Sequence, residues 1–186
     1  MKKHYLGLIL VGSLTLTLAC QPKSEESTAT ETQEQTAEET PEKRPSPLVT
    51  TEGQVSGKTI KVQYGSPAVK GRTVWGDLVP YNVVWRTGAN DATTFEIDAD
   101  VKIEGQALAK GKYALFTIPE ENEWTIIFNK NPKQWGSYSY KQEEDVLRVK
   151  VKPGKSSTFN EKLAFEVSGN KVFIRWENAE IAFKVK

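Results

Sequence analysis

The chain has 186 residues, with 25 Lys or Arg and 24 Asp or Glu, so its formal net charge is +1. Residues 48–186 carry 20 basic and 17 acidic side chains, a balance too even to indicate a nucleic-acid-binding surface. The single cysteine cannot form a disulfide within the chain, so the folded part must be stabilised by its hydrophobic core.

The first twenty residues have the pattern of a secretory signal. Two lysines precede an apolar stretch, residues 6–18, that is too short to span a bilayer, and the small residue Ala19 follows it. The stretch LTLAC ends at Cys20 and resembles a bacterial lipobox, although Thr17 stands where leucine is more usual. The resemblance implies cleavage after Ala19 and a diacylglycerol on Cys20. The alternative is an ordinary signal peptide in which Cys20 has no role.

Residues 20–47 are expected to form a lipidated cysteine followed by a disordered acidic linker. Residues 21–47 contain seven Glu, three basic residues and no aromatic residue, so they cannot bury enough apolar surface to fold. The run Ser24-Glu25-Glu26 resembles tags that send some lipoproteins to the cell surface; the alternative is simple solvated linker. We therefore expect a lipid-anchored envelope protein, in the outer membrane at its periplasmic face or at the cell surface.

Residues 48–186 are predicted to form a single all-β domain. Short runs rich in β-branched and aromatic residues alternate with Gly, Asn and Pro, which is typical of strands and turns. The predicted strands cover 58–64, 72–75, 83–86, 93–97, 101–103, 112–118, 124–129, 145–151, 163–167, 172–176 and 181–185. About ten short strands at this spacing favour an antiparallel β-sandwich.

The residue types present remove several kinds of chemistry. The only histidine, His4, lies in the predicted signal peptide, so the mature chain offers no imidazole for a nucleophile system or a metal site. We predict no metal and no cofactor, and favour a protein that is not an enzyme. Catalysis by carboxylates stays open as an alternative, with the row Glu143, Glu144 and Asp145 as its candidate.

The stretch 79–91 contains the first candidate binding residues. Arg86 offers a rigid fork of donors, and Asn90 and Asp91 add an amide and a carboxylate, which together can bind a carboxylate or sugar hydroxyls. The structural alternative is a buried Arg86 bonded to loop carbonyls, with Asn90 and Asp91 shaping a turn.

The stretch 129–140 contains the second set. Asn129, Trp135, Tyr138 and Tyr140 lie in a loop-like segment, where aromatic rings can stack on sugars or bases. The alternative is a loop whose rings fold back over one end of the sandwich. Trp75, Trp85, Trp124 and Trp176 lie in strand-like runs, and for them we predict core packing.

Five strings occur in an order that resembles one protein family. They are SPAVKGRTVWGDLVPYNVVWRTGANDATTF, LAKGKYALFTIP, EWTIIFNK, QWGSYSY and DVLRVKV. Together they are similar to the domain of unknown function 2911, found in bacterial secreted proteins and lipoproteins, over roughly residues 55–170. The resemblance implies an envelope setting and a β-rich domain, and carries no assigned reaction. It draws attention to Gly71, Arg72, Gly76, Pro80, Trp85, Arg86, Gly88, Ala89 and Asn90.

These observations lead to a first hypothesis, a module that binds a small molecule or glycan through Arg86, Asn90 and the 129–140 stretch. The second hypothesis is a protein-interaction or scaffolding lipoprotein, with an unprotected sheet edge at 181–185 as the first place to look. A hydrolase that uses carboxylates is the third. Nucleic acid is not an expected partner.

Overall fold

The computed structural model describes residues 44–186; the predicted signal peptide, Cys20 and most of the predicted linker lie outside that range. The described residues form ten strands and one 3-10 turn, Gln142–Glu144. The strands are β1 (Leu48–Val55), β2 (Lys58–Gly65), β3 (Ala89–Ile97), β4 (Val101–Ile103), β5 (Gln106–Leu108), β6 (Gly111–Pro119), β7 (Trp124–Asn129), β8 (Asp145–Val151), β9 (Gly154–Ser168) and β10 (Lys171–Lys184).

The strands form one large antiparallel sheet and two hairpins. The large sheet has the order β1-β2-β3-β6-β7-β8, while β4 pairs with β5 and β9 pairs with β10. The prediction of an all-β antiparallel fold is confirmed, although β9 and β10 are 15 and 14 residues long and exceed the short strands predicted there. In residues 44–186, no helix is both long enough and apolar enough to cross a membrane.

The main core lies between the large sheet and the β9–β10 hairpin. Successive side chains of a strand point to opposite faces, and the set that faces the hairpin is apolar. The ring of Phe183 on β10 lies 6.1 Å from Phe95 and 5.9 Å from Phe128, measured between centroids. Tyr64 on β2 lies 4.7 Å from Phe165 on β9. These contacts hold the hairpin against the sheet.

Four of the five tryptophans pack against one another in this core. Trp75 lies edge to face with Trp124 at 5.0 Å and with Trp176 at 5.8 Å, and Trp85 stacks on Trp176 at 5.9 Å. Trp85, Trp124 and Trp176 are at most 8% exposed, as predicted for core residues. Trp75 is only partly buried.

The opposite face of the sheet has a smaller apolar cluster. Ala114 and Phe116 on β6 pack there with Ile127 on β7, and Tyr140 closes over them at 5.0 Å from Phe116. The segment between β7 and β8 therefore covers this outer face.

A close approach at Gly65 positions the start of β3. A Cβ atom at Gly65 would stand 2.1 Å from the carbonyl oxygen of Ala89, so only glycine fits. The β2–β3 register shifts between Gln63 and Gly65. This contact places residues 86–91 beside the end of β2.

Two segments differ from their predicted structure. Residues 72–75 and 83–86 are not strands: they contribute single bridges, Trp75 to Val79 and Trp85 to Thr117. Gly76 and Asn82 have φ angles of 92° and 62°, which interrupt an extended run. Val74, Val79 and Trp85 of this loop are buried in the core without belonging to the sheet.

Residues 44–47, predicted as linker, pack on the domain. Arg44 lies 3.4 Å from the carboxylate of Asp91, and the Asn90 amide donates to the Ser46 carbonyl at 3.1 Å. The backbone N–H of Ser66 donates to the Pro47 carbonyl at 2.9 Å. Because these contacts join residues 44–47 to the β-domain, the packed domain includes residues before β1.

Candidate functional site

The loop that carries Arg86 is held on both sides. Trp85 and Thr117 exchange two backbone hydrogen bonds, of 2.7 and 2.9 Å. Thr87 is fully buried and has a left-handed backbone conformation, with φ of 54°. The Thr93 hydroxyl donates a hydrogen bond of 2.9 Å to the Thr87 carbonyl. The N–H of Thr93 also donates to the Arg86 carbonyl at 3.2 Å. The backbone of Arg86 is therefore fixed by buried groups, which preorganises its side chain.

The side chains of Arg86 and Asn90 line one cavity of about 270 Å³. Burial lowers the pKa of the Arg86 guanidinium from its usual value, and a favourable interaction with Tyr138 opposes that shift. We call this space the arginine cavity; its walls are Ser46, Pro67, Arg72, Leu78, Val79, Trp85, Arg86, Gly88, Ala89, Asn90 and Trp176.

Asp91 and Trp135 lie together at a second concavity, a groove of about 470 Å³. Asp91 and Trp135 form a β-bridge. The N–H of Ala92 donates to the backbone carbonyl of Gln134 at 2.9 Å, and the N–H of Gly136 donates to the backbone carbonyl of Asn90 at 3.0 Å. The 86–91 and 129–140 stretches therefore meet through their backbones. We call this space the tryptophan groove; it is lined by Leu48, Gln63, Tyr64, Gly65, Asp91, Ala92, Thr94, Lys112, Pro132, Lys133, Gln134 and Trp135.

Asn129 is a structural residue, fully buried at the end of β7. Its amide nitrogen donates to the Lys141 carbonyl at 3.0 Å and to Asp145 at 2.9 Å. Its oxygen accepts the Asn131 N–H and the Gln134 amide, each at 3.1 Å. With all these bonds made inside the protein, Asn129 fastens both ends of the loop and has no free group for a ligand.

Tyr140 is also committed to the fold. Its hydroxyl donates to Asp145 at 2.6 Å and lies 2.5 Å from the guanidinium of Arg148, which itself contacts Asp145 at 2.7 Å. Burial, followed by the hydrogen bond to Asp145, raises the pKa of Tyr140 to about 12. Asp145 is thus bonded to three side chains, and Glu143 and Glu144 belong to the adjacent 3-10 turn.

Two aromatic residues of the same loop stay open to solvent. Trp135 is 56% exposed and Tyr138 is 86% exposed. Trp135 lines the tryptophan groove, whereas Tyr138 lines neither of the two concavities and interacts with the charge of Arg86. The rings of this loop thus divide between Tyr140, which covers the sheet, and Trp135, which is available for contact.

The structure therefore separates six of the seven predicted site residues into three groups, and Tyr138 lines neither concavity. Asp91 and Trp135 share the groove, Arg86 and Asn90 share the cavity, and Asn129 and Tyr140 hold the loop. The two concavities have no lining residue in common. The predicted binding residues are therefore divided between two separate concavities.

Sequence reasoning missed several residues that line these spaces. Gln63 and Lys112 reach the groove, and Trp176 reaches the cavity. Gln63 lies between two buried residues and Lys112 between two partly buried ones, which marks both as surface residues of strands but not as neighbours in a groove. Trp176 had the appearance of a core residue, and nothing in the sequence distinguishes its indole N–H.

The chain belongs to the family described as "Protein of unknown function (DUF2911)", whose match covers residues 46–185. The expected family is therefore confirmed, and its match extends beyond the strings that suggested it. Comparison with curated proteins and with solved structures gave no match. The family description names no reaction, ligand or partner, so function has to be argued from the two concavities.

Proposed function

We propose that this chain is a lipid-anchored bacterial envelope protein whose β-domain binds a neutral oligosaccharide in the tryptophan groove. The observation that carries the proposal is Trp135, a ring that is 56% exposed at the groove on a segment otherwise tied into the fold. Exposure of an indole ring to water is unfavourable. An aromatic ring that is held rigidly beside polar groups loses little conformational entropy when a ligand binds to it.

The position of Trp135 is fixed by its neighbours. Its β-bridge to Asp91 and the backbone bonds of Gln134 and Gly136 anchor the chain on both sides of the ring. The Gln134 amide donates to Asn129 and to the Asn131 carbonyl at 2.7 Å. A sugar that stacks on Trp135 therefore meets a surface that needs little reorganisation.

Polar groups around the ring supply hydrogen bonds suited to sugar hydroxyls. Gln63, Thr94 and Asp91 provide an amide, a hydroxyl and a carboxylate along the groove. The side-chain oxygen of Gln134 is buried and accepts no hydrogen bond within residues 44–186. Since that atom has no accessible surface, the groups open to a ligand in the groove are those of Gln63, Thr94 and Asp91.

The charges of the groove favour a neutral ligand. Asp91 pairs with Arg44, and Lys112 lies 3.6 Å from Glu96. Lys133, the third charged residue of the lining, is exposed, so solvent screens its charge. The groove volume of about 470 Å³ is within the usual range for small-molecule sites. We therefore favour a short, uncharged glycan over an acidic one.

The envelope address rests on the N-terminal sequence. The apolar stretch 6–18, the LTLAC string and the acidic, aromatic-free segment that follows support export, acylation of Cys20 and a tether. A cysteine that carries two or three acyl chains is a durable anchor, since each buried methylene contributes about 0.8 kcal/mol.

The other two functional hypotheses have less support. Ile181, Phe183 and Val185 are at most 1% exposed, Val185 forms a bridge with Ile103, and the N–H of Glu104 donates to the Lys184 carbonyl at 3.0 Å, so the apolar side chains of the run are covered and its last residues are paired. Asp145 is bonded to Asn129, Tyr140 and Arg148, which leaves the 143–145 row no free pair of facing acids.

A binding screen tests the glycan proposal. The full chain in detergent is titrated with cellotriose, maltotriose, laminaritriose and chitotriose, and binding is measured by calorimetry and by thermal shift. A ligand at 100 times its dissociation constant adds about 2.7 kcal/mol of stability. We expect Trp135→Ala to weaken binding of the active sugar at least about tenfold, equivalent to 1.4 kcal/mol, without unfolding the domain.

The matched control is Phe159→Ala. Phe159 is also 56% exposed, but it lies on β9 and does not line the groove. Equal losses in the two variants, or no sugar binding by the parent chain, contradict the glycan proposal. Incorporation of labelled palmitate tests the anchor separately: it should occur in the parent chain and vanish in Cys20→Ala.

A further inference from the structure

We propose that the arginine cavity is a second binding site, selective for a small carboxylate that carries an apolar group. The site is distinct from the tryptophan groove and does not depend on the glycan proposal. It joins Arg86, from the loop before β3, with Trp176 on β10.

Two buried donors at this cavity lack acceptors. The Arg86 Nε and the Trp176 Nε1 are inaccessible to solvent and make no hydrogen bond within residues 44–186. Trp176 is 2% exposed, so water does not readily serve its indole N–H. Neither atom has surface that a ligand could reach, so the donors available to an acceptor in the cavity are the terminal nitrogens of Arg86, which also make no hydrogen bond within residues 44–186.

The charge of the cavity favours an anion. No carboxylate of the described chain forms an ion pair with Arg86, whereas Arg44, Arg148 and Arg175 each pair with an acid. Burial disfavours the charged guanidinium, as its lowered pKa reflects, and an anionic ligand relieves that cost. Arg72 adds a second positive charge to the wall.

Arg72 differs from Arg86 in that two of its side-chain nitrogens donate hydrogen bonds within the protein. Its Nε donates to the Val69 carbonyl at 3.0 Å and one terminal nitrogen donates to the Ala68 carbonyl at 2.5 Å. Arg86 is therefore the residue with an unused fork, and a planar fork matches a carboxylate through two parallel hydrogen bonds.

The other residues that line the cavity indicate which kind of group the carboxylate ligand carries. Pro67, Leu78, Val79 and Trp85 are apolar and border the same space. The volume of about 270 Å³ accommodates a small aromatic or branched aliphatic group but not an extended chain. Benzoate, with one carboxylate and one ring, combines the required features.

The site is built before a ligand arrives. The bridge between Trp85 and Thr117 and the bond from Thr93 to Thr87 fix the loop, and the Asn90 amide is held by the Ser46 carbonyl. Rigid placement of donors lowers the entropy lost on binding. The unpaired donors are therefore a fixed feature of this fold.

Calorimetric titration of the full chain with sodium benzoate tests the proposal. We expect saturable binding at millimolar benzoate or below, weakened at least about tenfold in Arg86→Gln. Trp176→Phe shortens a ring of the cavity wall, and it should weaken binding severalfold while Trp124→Phe does not. Trp124 is equally buried in the same tryptophan cluster but does not line this cavity.

Additional measurements distinguish a loss of binding from a loss of folding. Thermal unfolding is recorded for each variant; if Arg86→Gln does not fold, Arg86→Lys and the pair Trp176→Phe and Trp124→Phe decide the question. Trp135→Ala should bind benzoate normally, and Arg86→Gln should bind sugar normally, which separates the two proposals. No benzoate binding, equal effects of Trp176→Phe and Trp124→Phe, or tighter binding of inorganic phosphate than of benzoate would overturn this site.

Discussion

The stretches 86–93 and 129–140 are both polar, and both join the same sheet, since 86–93 runs into β3 and 129–140 starts at the end of β7. They use their polar groups in opposite ways. In 129–140 the amide of Asn129 and the hydroxyl of Tyr140 are bonded within the protein, and the exposed residue Trp135 lies between them. In 86–93 the backbone is bonded within the protein, while the guanidinium of Arg86 keeps an unpaired buried nitrogen.

This difference shows how the two kinds of residue are recognised. A polar side chain whose donors and acceptors are all used inside the domain stabilises the fold, and its loss is felt as instability. An exposed ring adds little to folding, and a buried donor without a partner costs stability, so both differ from side chains whose hydrogen bonds hold the fold together. The two roles cannot be separated by residue type, since each stretch contains both.

The largest expected effect comes from breaking the bonded half of 129–140. Asn129→Ala removes four hydrogen bonds and leaves Gln134 and Asp145 each without one partner, so we expect a loss of about 3 kcal/mol in the free energy of unfolding. Urea unfolding measures it. Asn122→Ala, in the exposed turn between β6 and β7, is the control and should change stability by less than about 0.5 kcal/mol. Equal effects would contradict a structural role for Asn129.

A smaller effect is expected from breaking the buried bonds of 86–93. Thr93→Val keeps the shape of a fully buried side chain but removes the hydroxyl that bonds the Thr87 carbonyl, so we expect a loss of about 1–2 kcal/mol. Because this bond holds the loop of Arg86, benzoate binding should weaken as well. Thr94→Val, one residue along and partly exposed, should leave both quantities nearly unchanged. Full stability in Thr93→Val would show that the loop is held by other contacts.

A still smaller effect should appear as a dependence on pH. The pKa of Tyr140 is about 12 in the folded chain, above the usual value of 10.0 that the unfolded chain retains. The contribution of this hydroxyl is therefore complete below pH 10 and is lost as the pH rises toward 12. Unfolding free energies across that range should fall more steeply for the parent chain than for Tyr140→Phe. Parallel curves would contradict the raised pKa.

The smallest effect is expected at the surface pair of Arg44 and Asp91. Their side chains are 28% and 57% exposed, and exposed pairs contribute less than about 1 kcal/mol. Arg44→Gln should change the unfolding free energy by less than about 0.5 kcal/mol, and less still in high salt. A larger loss would mean that residues 44–47 stabilise the domain more than their visible contacts imply.

Much of the fold was predictable from alternating polarity. The runs 58–64, 112–118, 124–129 and 145–151 correspond to β2, β6, β7 and β8 within a residue or two. β2 and β8 alternate because one face is buried, whereas β6 and β7 are continuous apolar runs because both of their faces are covered. β1 was missed because its LVTTEGQV sequence is mostly polar and its pairing with β2 supplies the order. In β10 a bulge at Glu177, with φ of 55°, looked like a turn between two strands.

The site was less predictable than the fold. The composition of 86–91 and 129–140 indicated that these two stretches contain binding-site candidates. Arg86, Asp91 and Trp135 from these stretches do line concavities. Which residues bind and which fold depends on partners far along the chain. The unpaired state of Trp176 Nε1 exists only because β10 packs beside the Arg86 loop, a contact that no local pattern encodes.

The indole N–H signals of the five tryptophans give the most direct test of the account. In a two-dimensional 15N–1H spectrum of the assigned chain, the active trisaccharide and benzoate are added in turn. We expect the sugar to shift the Trp135 indole signal and leave Trp176 in place, and benzoate to shift Trp176 and leave Trp135 in place. If neither signal moves, or if one ligand moves both equally, the two concavities are not the two selective sites described here.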